Sequence, residues 1–493
     1  MRISGRVAGW LGPLGVAALA FVLRVWEVGR PNRLMFDETY YAKHAWSLLR
    51  DGYVRDFVDG ADELIIAGRT TGLLEDTPTQ IAHPEAGKWL IAVGEQLFGL
   101  DAFGWRISAV VVGALTVLVL ARLVRRLTGS TWLGCLAGLL LTFDGLHFVM
   151  SRIALLDGFL TFWLVSAVAC LAVDRDHLVE RLERSADRLP VRPWQLLAGV
   201  CFGMAIGTKW SGLFVLAAFG LLVVGWEVLA RRRTWSTGGL TAPPPWIRTT
   251  LVVGAPAFVS LVGIAFLVYL ATWTGWLVHH EVYAERFDLG DGGPLSQLWR
   301  FHGLTLDFHT GEFLAGQDHP YQSAAWGWPV LDRPVAVDAV NDLPAATCGA
   351  PADSSCLRVV TLLGNPLVWW PGAAALLVAL VLWVRSRDWR LGLALTGAAA
   401  TWVPWLPLVR LDDRPIFSFY SVAMLPFTII AVCVLLHLAW ERSGPRARRA
   451  LAGAVVAWVV AVVVSFAWFH PVLTGALQSY DAWRSRMWFS RWI

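Results

Sequence analysis

The chain is 493 residues long, 56% apolar and only 16% charged, with a mean hydropathy of +0.54, whereas soluble domains are about 45–50% apolar and about 25% charged. That balance excludes a soluble globular fold. The formal net charge of +4 is carried largely by short loops between apolar runs, which makes it a mark of topology and no sign of nucleic-acid binding.

In chain order, apolar runs predict membrane-crossing helices near residues 9–27, 104–122, 131–149, 154–173, 194–208, 211–229, 249–272, 366–384, 391–408, 416–439 and 450–469. Most approach the roughly 17–25 residues that a helix needs to cross the hydrocarbon core, and a β-barrel would instead show short alternating segments. The expectation is an all-α polytopic membrane protein with about eleven crossings. The first run leads straight into an acidic and aromatic stretch with no small-residue cleavage site, so it is expected to be an anchor. Alternate loops hold Arg122, Arg125 and Arg126, then Arg175 to Arg192, then Arg231 to Arg233 with Arg248, then Arg385, Arg387 and Arg390, then Arg442 to Arg449. The positive-inside bias places these loops in the cytoplasm, together with the N-terminus bearing Arg2 and Arg6, and puts the tail from about His470 outside.

Two long segments, 28–103 and 273–365, are then left facing outward. They divide the chain into a 1–272 membrane module carrying the first, the 273–365 loop, and a 366–493 module of helices and tail. Stretches 39–50 and 85–99 are amphipathic and predict helices lying in the membrane interface, the first with its Tyr and Trp at headgroup depth. The cytoplasmic loops, including Pro243, Pro244 and Pro245, look like connectors. No internal repeat, P-loop, Rossmann fingerprint or metal-spaced Cys/His cluster occurs, which argues against nucleotide chemistry. Cys135, Cys170, Cys201 and Cys433 fall in spans as small apolar residues. Cys348 and Cys356 lie in the second outer segment, where an oxidising compartment permits a disulfide; the alternative is two free thiols.

The groups that can carry chemistry gather at the outer side. Phe36-Asp37-Glu38 follows the first span and precedes Tyr40 and Tyr41. A carboxylate at a membrane boundary among aromatics is partly desolvated, which raises its pKa and suits a general base toward a hydroxyl; the plainer reading is a loop start with two solvated acids. His83-Pro84-Glu85-Ala86-Gly87-Lys88 shapes a turn into the second amphipathic stretch, and a lone His in such a turn is more often structural. Arg106, Asp144, His147, Arg152, Asp157 and Lys209 lie in or beside spans, where charges are costly and face a cavity or a partner. Arg152 and Lys209 run against the positive-inside bias and suit an anionic ligand such as a lipid phosphate; internal salt bridges, for example Arg152 with Asp144 or Asp157, are the alternative. Arg410, Asp412, Asp413 and Arg414 read as a short exposed loop, and Phe417-Ser418-Phe419-Tyr420 opens a span with a polar edge. Most of the 29 Trp are expected in interface belts.

Taken in order, Phe36-Asp37-Glu38, His83-Pro84 to Gly87-Lys88, Phe143-Asp144-Gly145, Ser151-Arg152, Leu156-Asp157, Thr208-Lys209-Trp210 and Phe417 to Tyr420 resemble the protein O-mannosyltransferases of the actinobacterial type. The resemblance runs through most of the chain and is strongest over residues 29–212; the 273–365 loop matches mainly in position and lacks room for the β-trefoil module of eukaryotic members. It implies a multispan GT-C glycosyltransferase fold. It also implies a polyprenyl phosphate mannose donor taken from the outer leaflet, and transfer of mannose with inversion to Ser or Thr hydroxyls of proteins emerging from the Sec translocon at the plasma membrane.

Carried over by position, the resemblance makes Asp37 the catalytic base and Glu38 its neighbour in acceptor or sugar positioning. Arg152, Lys209 and Arg106 become the donor-phosphate group. Tyr41, His83, Lys88, Asp144, His147, Asp157 and Tyr420 are expected to line the substrate pocket. The family usually has His-Pro-Pro where this chain has Glu85 in the third place, which leaves the part played by His83 open. The scheme requires no metal, although Asp37 and Asp157 offer carboxylates to one. Two rivals remain: a related glycosyltransferase acting on a lipid or cell-wall glycan, and a transporter or flippase, which would show paired broken helices and midplane charges rather than charges at one face.

Overall fold

The computed structural model describes residues 5–184, 192–237, 246–407 and 414–493; Arg2, Pro243, Pro244, Pro245, Arg410, Asp412 and Asp413 lie outside them. Among the described residues, seven helices are long and apolar enough to cross a membrane: Ala102–Thr128, Leu156–Leu182, Gly212–Arg233, Trp246–Thr272, Pro366–Ser386, Leu425–Arg442 and Pro445–Thr474. Gly9–Val25, Thr131–Thr142 and Pro193–Thr208 are shorter apolar helices, and Trp389–Trp402 stands at the ninth predicted run. Side chains such as Leu221, Ile247, Val259 and Leu377 face outward from these helices, as a lipid-facing surface requires.

Two runs depart from continuous helices for local reasons. The 131–149 run breaks after Thr142, because the Asp144 carboxylate accepts from the His147 amide at 2.9 Å and caps a new short helix, Gly145–Met150. The 416–439 run opens as a 3-10 turn, Ser418–Ala423, and becomes α-helical only at Leu425–Arg442, with Pro426 in the first turn where its missing N–H costs nothing.

One glycine stripe sets the position of the site. On helix Pro193–Thr208, a Cβ added at Gly199 would lie 2.3 Å from the Ser260 carbonyl, at Gly203 2.6 Å from the Val268 Cβ, and at Gly207 2.7 Å from the Thr272 hydroxyl. The backbone therefore rests directly on the Trp246–Thr272 helix, which holds Pro256 and a π-turn at Val259–Gly263. The end of the glycine helix delivers Lys209 to a fixed point.

The first outer segment holds helices Glu38–Asp51 and Ala86–Phe98 and a two-stranded sheet, Arg55–Phe57 with Leu74–Pro78. On the first of these helices Tyr41 and Trp46 are buried against Ile91, Trp105, Ala154 and Phe159, so protein covers that part of its apolar face, while Tyr40 is exposed. Helix Ala86–Phe98 does expose an apolar row, Trp89, Val93 and Leu97, at the spacing of an interface-lying helix. In the second outer segment, strands Val335–Leu343 and Cys356–Leu362 pair antiparallel, and the tail strand Gln478–Ser479 joins as a third. The tail and this loop thus share one end of the bundle. A Cys348–Cys356 disulfide closes the connection between the first two strands.

Candidate active site

Asp37 stands just before helix Glu38–Asp51. Phe36, immediately ahead of it, has a left-handed backbone with φ of 50°, a costly conformation for a bulky residue that the surroundings must hold in place. They do so with aromatic edges: the Phe36 ring meets Phe417 at 5.7 Å, Phe419 at 5.8 Å and His319 at 6.1 Å. Asp37 is half-buried at the base of these rings. Burial pushes its carboxyl up to about 6, opposed by the Lys209 ammonium and by the Tyr41 hydroxyl, which donates to it at 3.4 Å, and assisted by the nearby Asp157 charge.

Lys209 is brought in from the turn after the glycine helix. Its Nζ donates to both Asp157 oxygens, at 3.0 and 2.9 Å, and sits 4.1 Å from the centre of the Tyr420 ring. Asp157 lies in the first turn of helix Leu156–Arg184. Gly87 lets the first outer segment close on this pair, since a Cβ there would lie 2.7 Å from Leu156 and 3.0 Å from Thr208. Asp37, Tyr41, Asp157, Lys209 and Tyr420 therefore form one cluster, drawn from four separate parts of the chain.

His83 belongs to its wall. It lies 6.3 Å from the Tyr41 ring and stacks at 5.1 Å on His309, whose Nε2 donates to the Ala82 carbonyl at 2.6 Å. Burial, and then Lys209, push the His83 imidazole well below its usual range; burial takes His309 to about 4. Both rings are neutral at physiological pH. His309 and His302 are not singled out by the sequence, and Trp210 enters there only as part of the Thr208-Lys209-Trp210 motif: the Trp210 Nε1 donates to the Tyr269 hydroxyl at 3.0 Å, that hydroxyl meets His302, and the His302 ring stacks on Trp210. Arg414, expected in an exposed loop, is partly buried instead; its Nη1 donates to the His309 carbonyl at 3.0 Å, while its Nε is buried without a partner among the described residues. Its charge acts on His83 and Tyr420. Only the pairing of Arg with a Phe-Ser-Phe-Tyr turn three residues later could have pointed to it.

Other expected site residues are engaged elsewhere. Arg106 and Glu38 are fully buried and bonded to each other: Nε to Oε1 at 2.8 Å and Nη2 to Oε2 at 2.7 Å. The remaining Arg106 donors go to the carbonyls of Val28 at 3.1 Å, Pro31 at 2.9 Å and Arg33 at 2.7 Å. Glu38 also accepts from the Met35 and Ala154 amides, each at 2.9 Å. All five guanidinium N–H groups are thereby used, so the expected phosphate contact of Arg106 and sugar or acceptor contact of Glu38 are corrected: the pair is a latch that folds residues 28–38 under Asp37.

Arg152 donates to the carbonyls of Arg24 at 2.7 Å, Trp26 at 2.6 Å and Glu27 at 3.3 Å, which ties down the end of the first helix in place of a salt bridge to Asp144 or Asp157. Asp144 accepts from the Asn365 amide at 2.9 Å and the Trp369 indole at 2.8 Å, and His147 meets Arg24 at 3.0 Å, so both hold helix ends together instead of lining the pocket. Lys88 is buried and donates to the His83 carbonyl at 2.9 Å, supporting the wall from behind. Glu85 beside it is fully buried with neither oxygen partnered among the described residues; burial drives its carboxyl up and the Lys88 ammonium down.

The sequence model described as Dolichyl-phosphate-mannose-protein mannosyltransferase matches residues 15–283, and that of the C-terminal four TMM region of protein-O-mannosyltransferase matches 294–492. The chain belongs to the dolichyl-phosphate-mannose-protein mannosyltransferase family. The polyprenol-phosphate-mannose--protein mannosyltransferase of Mycobacterium tuberculosis is 34% identical, over 99% of this chain and 92% of the relative. Those of Mycolicibacterium smegmatis and Corynebacterium glutamicum are 35% identical over 99% and 93%, and 30% identical over 93% and 88%, of this chain and the relative respectively. The fold is that of the Saccharomyces cerevisiae protein O-mannosyltransferase Pmt1-Pmt2 complex bound to the sugar donor, with a TM-score of 0.74 at 14% identity over 100% of this chain and 93% of that one. The chain is a multi-pass membrane glycosyltransferase of the GT-C fold.

Proposed function

We propose that this enzyme transfers mannose from polyprenyl phosphate mannose to Ser or Thr hydroxyls of proteins on the outer face of the plasma membrane, with inversion, as the acceptors leave the secretion channel. The observation that carries the reading is the juxtaposition of a half-buried carboxylate, Asp37, with a cation, Lys209, that is fixed by Asp157 and Tyr420. Asp37 takes the proton from the acceptor hydroxyl as its oxygen forms a bond to the anomeric carbon. The bond from that carbon to the lipid phosphate breaks, and the charge that grows on the phosphate is met by Lys209, with Arg414 on the same side.

Inversion is supported by the fate of the other carboxylates. Glu38 is held by Arg106 and Asp157 by Lys209, which leaves Asp37 with a base's role in a single displacement and gives the sugar no second carboxylate nucleophile in this cluster. The outer location is supported by the arginine-rich loops at the opposite end of the helices and by the tail strand pairing with the second outer segment.

The test is acceptor choice. Membranes carrying the enzyme, given labelled polyprenyl phosphate mannose, are offered a Ser/Thr-rich peptide, the same peptide with Ala at every Ser and Thr, and lipid acceptors. Label on the first peptide alone is expected. Label on a lipid or glycan with none on peptide would overturn the acceptor class while keeping the glycosyltransferase.

A further inference from the structure

At the end of the bundle away from Asp37, four helices enclose a second cavity. Helix Leu156–Arg184 runs from Asp157, at the active site, to Arg175, about 27 Å further along at 1.5 Å per residue. Around Arg175 and the far ends of Gly212–Thr237, Pro366–Ser386 and Trp389–Trp402 lies a cavity of 1030 Å³. Its lining includes three arginines, Arg175, Arg233 and Arg387, and three tryptophans, Trp226, Trp383 and Trp389, with no Asp or Glu among the described lining residues.

Two of these arginines, Arg175 and Arg387, are set in aromatic supports. The Arg175 guanidinium lies 3.7 Å from the Trp389 ring centre and 5.8 Å from that of Trp226, and Arg387 lies 4.9 Å from Trp383. A cation stacked on an aromatic face keeps its N–H edge available for an oxyanion. Arg387 takes a left-handed backbone at the end of its helix, φ 55°, which turns its side chain back along the helix end. The nearest acids are held: Asp388 by Arg390 at 2.7 Å, and Asp176 by Arg126 at 2.9 Å and more loosely by Arg175 at 3.5 Å. Leucines complete the cavity on its membrane side, with Leu221 largely exposed and Leu229 about half so.

We infer that this cavity is a site for an anionic phospholipid of the inner leaflet, its headgroup phosphate on Arg175 and Arg387 and its acyl chains against the Leu221 and Leu229 face. Charge complementarity favours an anion, and the apolar wall, open toward the hydrocarbon, favours a lipid over a small soluble one. Basic pockets between helices on the cytoplasmic side are sites of this chemistry. The inference rests on the orientation of the bundle and not on the transfer reaction.

The full chain, purified in detergent and stripped of lipid, is exposed to equimolar phosphatidylglycerol and phosphatidylcholine, and retained lipid is counted by native mass spectrometry. Phosphatidylglycerol is expected to be preferred by at least ~tenfold. Arg175→Gln with Arg387→Gln should abolish the preference, the two Lys variants should keep most of it, and Arg446→Gln with Arg449→Gln, which removes the same charge from exposed positions outside the cavity, should leave it intact. Equal retention of the two lipids by the wild type, a preference that survives the Gln pair, or a loss as large in the Arg446 and Arg449 control would overturn the site. Displacement of the lipid by excess inorganic phosphate would overturn the lipid assignment in favour of a soluble anion.

Discussion

The Glu38–Arg106 latch makes the sharpest stability prediction. Glu38→Gln takes the charge from a pair whose two side chains are wholly inaccessible, and leaves the Arg106 guanidinium buried beside an amide that can accept at only one of its two ends. Breaking a buried ion pair from one side costs about 3–5 kcal/mol, and the Met35 or Ala154 amide that loses its acceptor adds about 1–3 kcal/mol. That sum approaches a large part of the roughly 5–15 kcal/mol that holds a typical domain folded. Arg106→Gln should cost a similar amount, because Glu38 and the carbonyls of Val28, Pro31 and Arg33 lose their donors together. The double variant should lose less than the sum by about 2 kcal/mol or more, since neither charge is then left alone. The assay is thermal unfolding of detergent-purified protein, with hydrogen exchange across residues 28–38 as the local readout. Additive losses would refute the latch, and so would a Glu38→Gln protein as stable as wild type that fails to transfer mannose, because the carboxylate would then belong to the chemistry.

Other expectations follow from the same geometry. Because Asp37 must be ionised to accept a proton and burial holds its carboxyl at about 6, kcat/KM should rise with pH through about 6 and level off above it; a rate flat from pH 5 to 7 would contradict that assignment. Lys209→Gln should lower kcat by about 10²–10³-fold in measured turnover, and a loss confined to KM would instead make Lys209 a binding group only. Gly87→Ala places a methyl against Leu156 and Thr208 and should cost about 1–3 kcal/mol while slowing transfer through displacement of Asp157 and Lys209; unchanged turnover would show that this close approach does not set the site. Removing the Cys348–Cys356 disulfide with a double Ser variant should lower stability by about 2 kcal/mol in a thermal scan with transfer per folded molecule unchanged, because the two strands it joins lie in the second outer segment and contribute no residue to the Asp37 cluster.

What could be read in advance depended on how local each signal was. Apolar runs and loop arginines are local, so the helices and their succession were legible, and a boundary carboxylate among aromatics marked Asp37 before any geometry was known. Lys209 and Asp157 were singled out as costly charges, but their mutual pairing was not, because residues 52 positions apart meet only when helix Pro193–Thr208 packs against helix Leu156–Arg184. The same limit explains the charged residues engaged away from the cluster. Arg106, Arg152 and Asp144 carry charge at membrane depth, and such charge marks a partner as readily as a ligand; besides Glu38 and the Trp369 indole, their partners are backbone carbonyls and amides at Val28, Trp26 and Asn365, which leave no trace in composition. Arg414, by contrast, looked solvated because its neighbours in sequence are charged, and only the approach of His309 from 105 positions earlier turns it toward the cluster.

The central claim is that Asp37 is the base of a mannosyl transfer. The most direct measurement is the rate of mannose transfer from polyprenyl phosphate mannose to a Ser/Thr-rich peptide by wild type and Asp37→Asn, in membranes at matched amounts of folded enzyme. A loss of about a hundredfold or more in the variant, the low end for a general base, is the predicted result; equal transfer by the two proteins would contradict the account.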